Sequence, residues 1–420
     1  MRVVCGSPER VGGISQGADV VPVALYGHGE SGQRIAHIGH QLLHRVALLR
    51  GQPSSMAWDF LSLALGVVAA DTFVRRDASE DGWTRKIDLT VDLVSPGSWR
   101  PVLPQFERAL GFLSGDIWNI AVRDDGVPFP LGRNELALDD CVCLLSGGLD
   151  SLVGAIDLVR EGKRPILVSH SYPKEGTLQA YFAQRIDPTL THFYANADAG
   201  FNSKNEISMR CRSLLFVAMG VLAASSIANG DEVARLNVPE NGLISLNPPL
   251  SVRRIGSLST RTTHPYFLRL ISEVLHGAGV PVQIVNPYVF HTKGEMIEQC
   301  RDLGLLRSLM GHSISCGKWK RKNRPCGRCF PCLIRRAALH AAGEEDSPTR
   351  PYVFENLNDA IDYEDVVAVR AAVDRYEGQD MGKVLRSISP LPSLPRDRRA
   401  LVGVADRGIE ELRHYLDHAL

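Results

Sequence analysis

The 420-residue chain has no net charge: 47 lysines and arginines stand against 47 aspartates and glutamates. No global field draws it to nucleic acid or to a membrane surface, so any basic surface must be local. Long apolar runs are also missing. The longest, Phe60–Ala70 (FLSLALGVVAA), is too short to cross a bilayer, and MRVVCGSPERVGG at the start lacks the apolar centre of a secretory signal. A cytoplasmic protein with no membrane contact is expected. Neither low-complexity tracts nor internal repeats occur, which excludes repeat architectures. Cysteine is sparse and unevenly placed: Cys5, Cys141, Cys143, Cys211 and Cys300 are scattered, while four more crowd into Cys316–Cys332. An odd total with one tight cluster excludes a disulfide framework and points to reduced thiols plus a metal site.

The length exceeds one ordinary core, so two or three domains are expected. In the first third, Ala57–Asp71 has helical apolar spacing, and Ile87, Leu89, Val91 and Leu93 alternate with polar residues as a half-buried strand does. A helix near Val102–Phe112 and a short strand, IWNIAV, follow. These patterns suggest a small α/β unit, assigned as an accessory N-terminal α+β domain over 1–135 that ends in the Pro- and Gly-rich DDGVPFPLGRNELALDD. From Cys141 onward apolar strands alternate with helices: CVCLL, PILVSHS, HFYANA, a long helix around Ile207–Ala228, EVARLNV and VQIVNPY. Such alternation predicts an α/β fold with a parallel sheet covered on both faces, over 136–343. After GEEDSPTRP, residues 344–420 have mainly helical periodicity.

The stretch CVCLLSGGLDSLVGAIDLV (141–159) carries the first chemistry. Leu149, Leu152, Val153 and Ile156 fall on one helical face that starts at the glycines, so a helix N-terminus emerges from Gly147 and Gly148. Unsatisfied N–H groups and the helix dipole favour an anion there, and glycine lets phosphate oxygens approach the backbone. Ser146 and Ser151 add hydroxyl donors. An ordinary strand-to-helix turn with a Ser or Asp cap is the alternative. The stretch has neither the Gly-Lys-Ser/Thr of a Walker A loop nor the glycine spacing of the dinucleotide fingerprint. His170 and Ser171 end the next strand, where open α/β sheets bind ligands.

The second chemistry is Cys316, Cys326, Cys329 and Cys332, spaced C-x9-C-x2-C-x2-C. Four thiolates in short steps suit a tetrahedral structural Zn²⁺, with an iron–sulfur cluster as the rival. Around them lie Lys318, Lys320, Arg321, Lys322, Arg324, Arg328, Arg335 and Arg336, with Trp319 and Phe330. A zinc knuckle of this composition can bind nucleic acid, and a solvated rim is the other reading; the neutral chain does not favour nucleic acid.

The S-G-G-L-D-S string resembles the loop of the PP-loop ATP pyrophosphatases. Taken with the cysteine cluster, it is similar to the 7-cyano-7-deazaguanine synthase family, QueC, over about Cys141–Ala342. That resemblance implies an ATP-dependent ligase whose loop, Ser146 to Ser151 including Leu149, grips the pyrophosphate of ATP. A 7-deazaguanine carboxylate is adenylated and passed to an amine. Asp150, Ser146, Ser151 and Lys293 are the implied catalytic residues. MRCRSLLF (209–216) resembles the family's Arg-Asn helix element, placing Arg212 at the nucleotide, although Ser213 stands where Asn is usual. HTKGEMI resembles its lysine-acidic segment, placing Lys293 and Glu295 at the pocket. The family's Tyr-Pro-Asp-Cys-Arg string is missing. In its place Glu240, Asn241 and Asn247 are candidates for pairing with a guanine-like edge, and Arg254, Arg261 and His264 for facing a carboxylate or phosphate; each is also an ordinary loop residue. With its added N-terminal unit, the chain resembles the QueC-like proteins of Qat-type antiphage defence, which implies transfer to a partner protein encoded nearby. The implied cofactors are ATP, Mg²⁺ at Asp150, and Zn²⁺. Nitrile synthesis in queuosine-type biosynthesis, and a zinc-knuckle nucleic-acid module, stand as alternatives.

Overall fold

The computed structural model describes all residues except 15–19, 29–34, 48, 130–137, 171–172, 202–204, 207, 209, 229–231, 251–260 and 320–322, together with the side chains of 173 and 174. Two five-stranded sheets organise it. The first contains β1 (Arg2–Gly6), β2 (Val20–Leu25), β3 (Ala36–Ile38), β4 (Lys86–Asp92) and β5 (Ile117–Arg123), in the order β3-β2-β1-β4-β5. The second contains β6 (Cys141–Leu144), β7 (Pro165–His170), β8 (His192–Ala195), β9 (Ala234–Asn237) and β10 (Val282–Val285), in the order β10-β9-β6-β7-β8. All these strand pairs are parallel. The N-terminal unit is therefore α/β rather than α+β, because helices carry the chain back between its parallel strands.

The helix Ser55–Phe73 explains how the two sheets meet. Ser54 caps it by accepting from Ala57 N–H, and every residue from Ala57 to Phe73 is buried. A helix apolar on all sides needs partners on all sides; this one lies between the first sheet and the helix Arg212–Ser225 of the second. One continuous apolar core thus runs through both sheets. By length and composition Ser55–Phe73 could cross a membrane, but 94% of that window is buried inside the protein. Beside the core, Arg85 forms ion pairs with Asp71 (2.5 Å) and Asp116 (2.7 Å), and Arg76 with Asp116 (2.8 Å), all buried. Asp71 also accepts from Cys211 N–H at 2.7 Å, which ties this network to the start of the Arg212–Ser225 helix. Burying these charges is costly unless each is paired, and here each carboxylate is held by guanidinium or backbone donors.

The C-terminal helices Glu364–Tyr376, Met381–Ile388 and Pro395–Ala419 form a second core with Leu243, Leu246 and the helix Phe330–Ala341. Their amphipathic faces close over the second sheet's carboxyl-end loops. Tyr376 donates to Pro249 O at 3.0 Å, and Ser389 Oγ meets His264 Nε2 at 2.8 Å.

Candidate functional site

Between β6 and β9 the chain direction reverses in sheet order, and a crevice opens beyond the strands' carboxyl ends. The turn Ser146–Ser151 sits there. Gly147 has φ +88°, a conformation costly for residues with a Cβ. Its carbonyl accepts from Ile314 N–H at 3.0 Å, and Gln179 Nε2 donates to Ser146 O at 3.1 Å, so the turn is held from outside. Within it, Ser146 N–H donates to Ser151 Oγ (3.1 Å), the two hydroxyls lie 3.0 Å apart, and Gly148 N–H donates to Ser146 Oγ (3.3 Å). Gly148 is the N-cap of the helix Leu149–Arg160 and supplies no side-chain cap, so the first turn's N–H groups face the crevice.

Asp150 is the hub. Its Oδ1 lies 2.6 Å from Lys293 Nζ, and its Oδ2 accepts from Asn241 N–H (3.1 Å) and Nδ2 (2.7 Å). Burial opposes its charge, but Lys293 and hydrogen bonds from Glu240, Lys293 and Asn241 outweigh burial and hold Asp150 well below the usual carboxylate range. Glu240 goes the other way: burial and the Asp150 charge push its pKa well up. Sequence reasoning gives Asp150 to Mg²⁺; in the folded chain its carboxylate also pairs with the buried Lys293. Lys293 itself is aimed by its helix, Lys293–Glu298, whose capping box is built from Thr292 and Glu295.

Two cavities flank this hub. One of about 180 Å³ is lined by Ser146, Gly148, Asp150, Glu240, Lys293 and Ser315, with Phe330 and Pro331 as a wall. The other, about 250 Å³, shares Ser146, Ser151 and Glu240 and adds Ser213, Thr262 and Thr263. Ser213 bonds Thr262, which joins the two segments across that cavity.

The structure places the sequence candidates unevenly. Ser146, Gly148, Leu149, Asp150, Ser151, Glu240 and Lys293 meet at the cavities. Asn241 is fully buried and spends its side chain on Asp150 and on capping Ile244 N–H, which removes it from base reading. Asn247 is the left-handed end (φ 48°) of the helix Gly242–Leu246. Arg261 donates to Phe112 O and stacks on that ring. His264 accepts from Tyr266 N–H through Nδ1, meets Ser389 through Nε2, and burial pushes its pKa down to about 3. These three do scaffold work. Glu295 is taken by its capping box and by Arg407 (2.5 Å). His170 ends β7, buried, and Arg212 starts its helix; neither lines either cavity. Ser171 and Arg254 lie outside the described residues. Sequence reasoning missed Pro239, Ile244, Ile314 and Pro331, whose only signal is shape, and placed Phe330 with the cysteines but not at this cavity.

The four cysteines converge. All four Sγ atoms lie within 4.8 Å of one another, with Cys329 Sγ at 3.5 Å from Cys332, 3.8 Å from Cys316, and Cys326 at 4.0 Å from Cys332. Four thiolates at about 2.3 Å on a tetrahedral Zn²⁺ stand about 3.8 Å apart, so the cluster fits that ion. Backbone N–H groups of Lys318, Cys326 and Cys329 donate to these sulfurs. Phe330 and Pro331, the cavity wall, lie between two of these cysteines, so an ion held by the cluster would fix part of that wall. The cations around the cluster are engaged internally. Lys318 and Arg328 pair with Asp365, Arg324 donates to Tyr352 O, Arg335 pairs with Asp346, and Arg336 donates to three carbonyls. Lys320, Arg321 and Lys322 lie outside the described residues.

Residues 263–343 match the family model described as Queuosine biosynthesis protein QueC. A 7-cyano-7-deazaguanine synthase of Helicobacter acinonychis is 24% identical over 215 residues, 47% of this chain and 93% of that protein. That of Hahella chejuensis is 23% identical over 241 residues, 51% of this chain and 93% of its own length. The chain is QueC-like. The likeness accounts for about half of it, and the PP-loop, the parallel second sheet and the four-cysteine element fit a QueC-like ATP-using enzyme.

Proposed function

We propose that this QueC-like chain is an ATP-dependent carbon–nitrogen ligase acting on the carboxylate of a 7-deazaguanine base. The observation that carries the reading is the Asp150–Lys293–Glu240 cluster at the mouth of an uncapped glycine turn, with one cavity on each side of it. The phosphates of ATP belong at Ser146–Ser151, with Lys293 as the cation for the leaving pyrophosphate and Asp150, beside Glu240, as the carboxylate that receives Mg²⁺. The substrate carboxylate oxygen attacks the α-phosphorus, and the bond to pyrophosphate breaks. An amine nitrogen then attacks the acyl carbon, AMP leaves with the bonding pair, and the amine loses a proton to give the amide. Preorganised donors around the leaving charge are where such sites gain most of their rate.

The acceptor we assign is an amine of a partner protein encoded nearby, in an antiphage setting in the cytoplasm. A protein amine needs a surface that holds its flanking chain at high effective concentration. A bay of about 380 Å³ behind the turn, lined by Tyr181, His312, Trp319 and Arg350, offers one. We assign 136–343 to the ATP-using unit, 1–135 to an accessory unit and 344–420 to a helical cover. The relatives' printed activity, 7-cyano-7-deazaguanine synthesis, favours the second reading, in which ammonia is the amine and a nitrile the product. Incubation with ATP, Mg²⁺ and 7-carboxy-7-deazaguanine, with and without the neighbouring gene products, separates them. Pyrophosphate release with a mass increase on a partner supports the ligase; efficient free nitrile from ammonium alone overturns the protein acceptor, and no pyrophosphate at all overturns both.

A further inference from the structure

Two arginines from the β8–β9 and β9–β10 connections dock on a single helix end of the N-terminal unit. The helix Leu103–Ser114 stops at Gly115, which is left-handed (φ 75°) and returns its N–H to Gly111 O. A helix leaves its last carbonyls without partners inside it. Here two of them are taken from outside: Arg261 Nη1 donates to Phe112 O at 3.1 Å, and Arg210 Nη1 to Ser114 O at 2.8 Å. Burial, and after it the Arg210 charge, lower the Arg261 pKa; the negative end of the helix dipole offsets that repulsion.

Side chains extend this clamp. The Arg261 guanidinium lies 4.8 Å from the ring centre of Phe112, and the same ring meets His264 and Tyr266 edge-on, each at 5.0 Å. The turn from Arg261 to Tyr266 is thereby seated on one phenylalanine. On the other side, Asp71 takes Cys211 N–H, and the buried Arg210 lies 4.4 Å over the Trp83 ring. The units also press closely together: a Cβ on Gly277, at the end of the helix Pro265–Gly277, would lie 2.6 Å from Val102 Cγ1. What the two anchored segments share is the cavity of about 250 Å³. Ser213 comes three residues after Arg210, Thr262 and Thr263 come directly after Arg261, and all three line it. Among the described residues that lining begins at Leu144, so the N-terminal unit acts on the cavity through the segments it anchors.

We propose that the C-terminal turn of Leu103–Ser114 sets the shape of this cavity, and that Phe112 is a positioning residue for the flat heterocycle the cavity takes. Apolar walls from Leu144, Phe216, Val217 and Val238, with the hydroxyls of Ser213 and Thr262, suit a purine-type ring. The inference rests on the ATP-dependent reading above, in which that ring is either the adenine of ATP or the 7-deazaguanine base. The phosphate turn is held separately, by Gln179 and Ile314. Loss of the clamp therefore alters the affinity for one ring and leaves the phosphate grip in place.

Equilibrium titration of the full-length chain with ATP and Mg²⁺, and separately with 7-carboxy-7-deazaguanine, tests this without requiring turnover. Phe112→Ala is expected to weaken one of the two ligands about tenfold and to leave the other within about twofold; the weakened one names the ring in the cavity. Arg261→Ala, which loses the carbonyl bond as well as the stack, should weaken the same ligand at least as much, and the double variant no more than Arg261→Ala alone. Asp92→Asn, which unsettles the same unit away from the clamp, is expected to leave both affinities unchanged. Wild-type affinities that survive Phe112→Ala and Arg261→Ala, or that all three substitutions weaken for both ligands alike, overturn the clamp and leave the ATP-dependent reading intact. A wild type that binds neither ligand overturns that reading and the clamp with it.

Discussion

The two sheets share one strand order, yet among the described residues their switch points are built differently. After β6 the chain turns through Ser146, Gly147 and Gly148 into a helix whose first N–H groups face a cavity. After β1 it turns through Gly6 and Ser7 into the short helix Pro8–Gly12, where Ser7 accepts from Arg10 N–H and caps it. The place a phosphate would take is filled by Asp92: a Cβ on Gly6 would lie 2.2 Å from its Oδ2. Asp92 is fully buried and held by Arg123 (2.7 Å) and Arg10 (3.3 Å). One sheet keeps its switch point open; the other fills it with a carboxylate of its own. The same topology thus hosts a site or a plug, and side chains decide which.

The comparison breaks most sharply at Asp150. Asp150→Asn removes the carboxylate beside the leaving group and strands a buried Lys293. Pyrophosphate release is expected to fall by about 10²–10³, and stability by about 3 kcal/mol. Pyrophosphate assays run well below the melting temperature check the first, and denaturant titration the second. Retained turnover would show that the open switch point is not the active one.

Cysteine comes next. Cys329→Ser is expected to lose stoichiometric zinc and lower the melting temperature, because ligand binding and local folding are one equilibrium. Pyrophosphate release should fall with it, since Phe330 and Pro331 wall the phosphate cavity from between two ligands. Elemental analysis alongside turnover tests this; a zinc-free variant with wild-type melting and rate would sever the cluster from the pocket.

Asp92→Asn is the matching test on the closed side. It leaves Arg123 and Arg10, both partly exposed, without their shared carboxylate, so stability should drop by about 1–2 kcal/mol, while turnover measured below the transition stays within about twofold. A loss of turnover as large as that of Asp150→Asn, in a variant still folded, would make the first sheet a second nucleotide site.

Much of this asymmetry could be read from residues. The strands β6 and β7 were legible because parallel strands buried on both faces appear as apolar runs bounded by turns. The cysteines were legible because four thiolates at that spacing have few other uses. The three-residue β3, by contrast, leaves too short a pattern to register, and the strand character of β1 and β2 went unread. Asn247, Arg261 and His264 meet backbone and side-chain partners within the fold, which their sequence could not show: a polar loop residue looks the same whether it meets a ligand or satisfies the backbone. The cavity wall was invisible since Pro239, Ile314 and Phe330 come together only through packing.

The smallest effect concerns the C-terminal cover, which touches the second sheet's lysine helix. Glu411 bonds Thr292 Oγ1 at the N-terminus of Lys293–Glu298. Burial, with a smaller push from Glu295, raises its carboxyl from the ordinary 4.5 to about 7, against the lowering effects of Thr292, Gly294 N–H and Arg407. An acid whose folded pKa is raised binds its proton more tightly when folded. Its contribution to stability is therefore complete below about pH 4.5 and is lost as pH rises towards 7. Glu411→Gln keeps the size and the hydrogen-bonding tip but cannot ionise. The variant should melt higher than the wild type above pH 7, by about 1–2 kcal/mol after allowance for partial exposure, and match it below pH 4.5. Because Gly294 leaves no room beside this carboxyl, a Cβ there lying 2.5 Å from Glu411 Oε1, the charge is felt directly at the helix that aims Lys293. Pyrophosphate release by the variant should then show a flatter dependence between pH 6 and 8 than that of the wild type. Melting curves of the two proteins that stay parallel from pH 4 to 8 would mean that Glu411 is solvated and that the cover does not set the lysine.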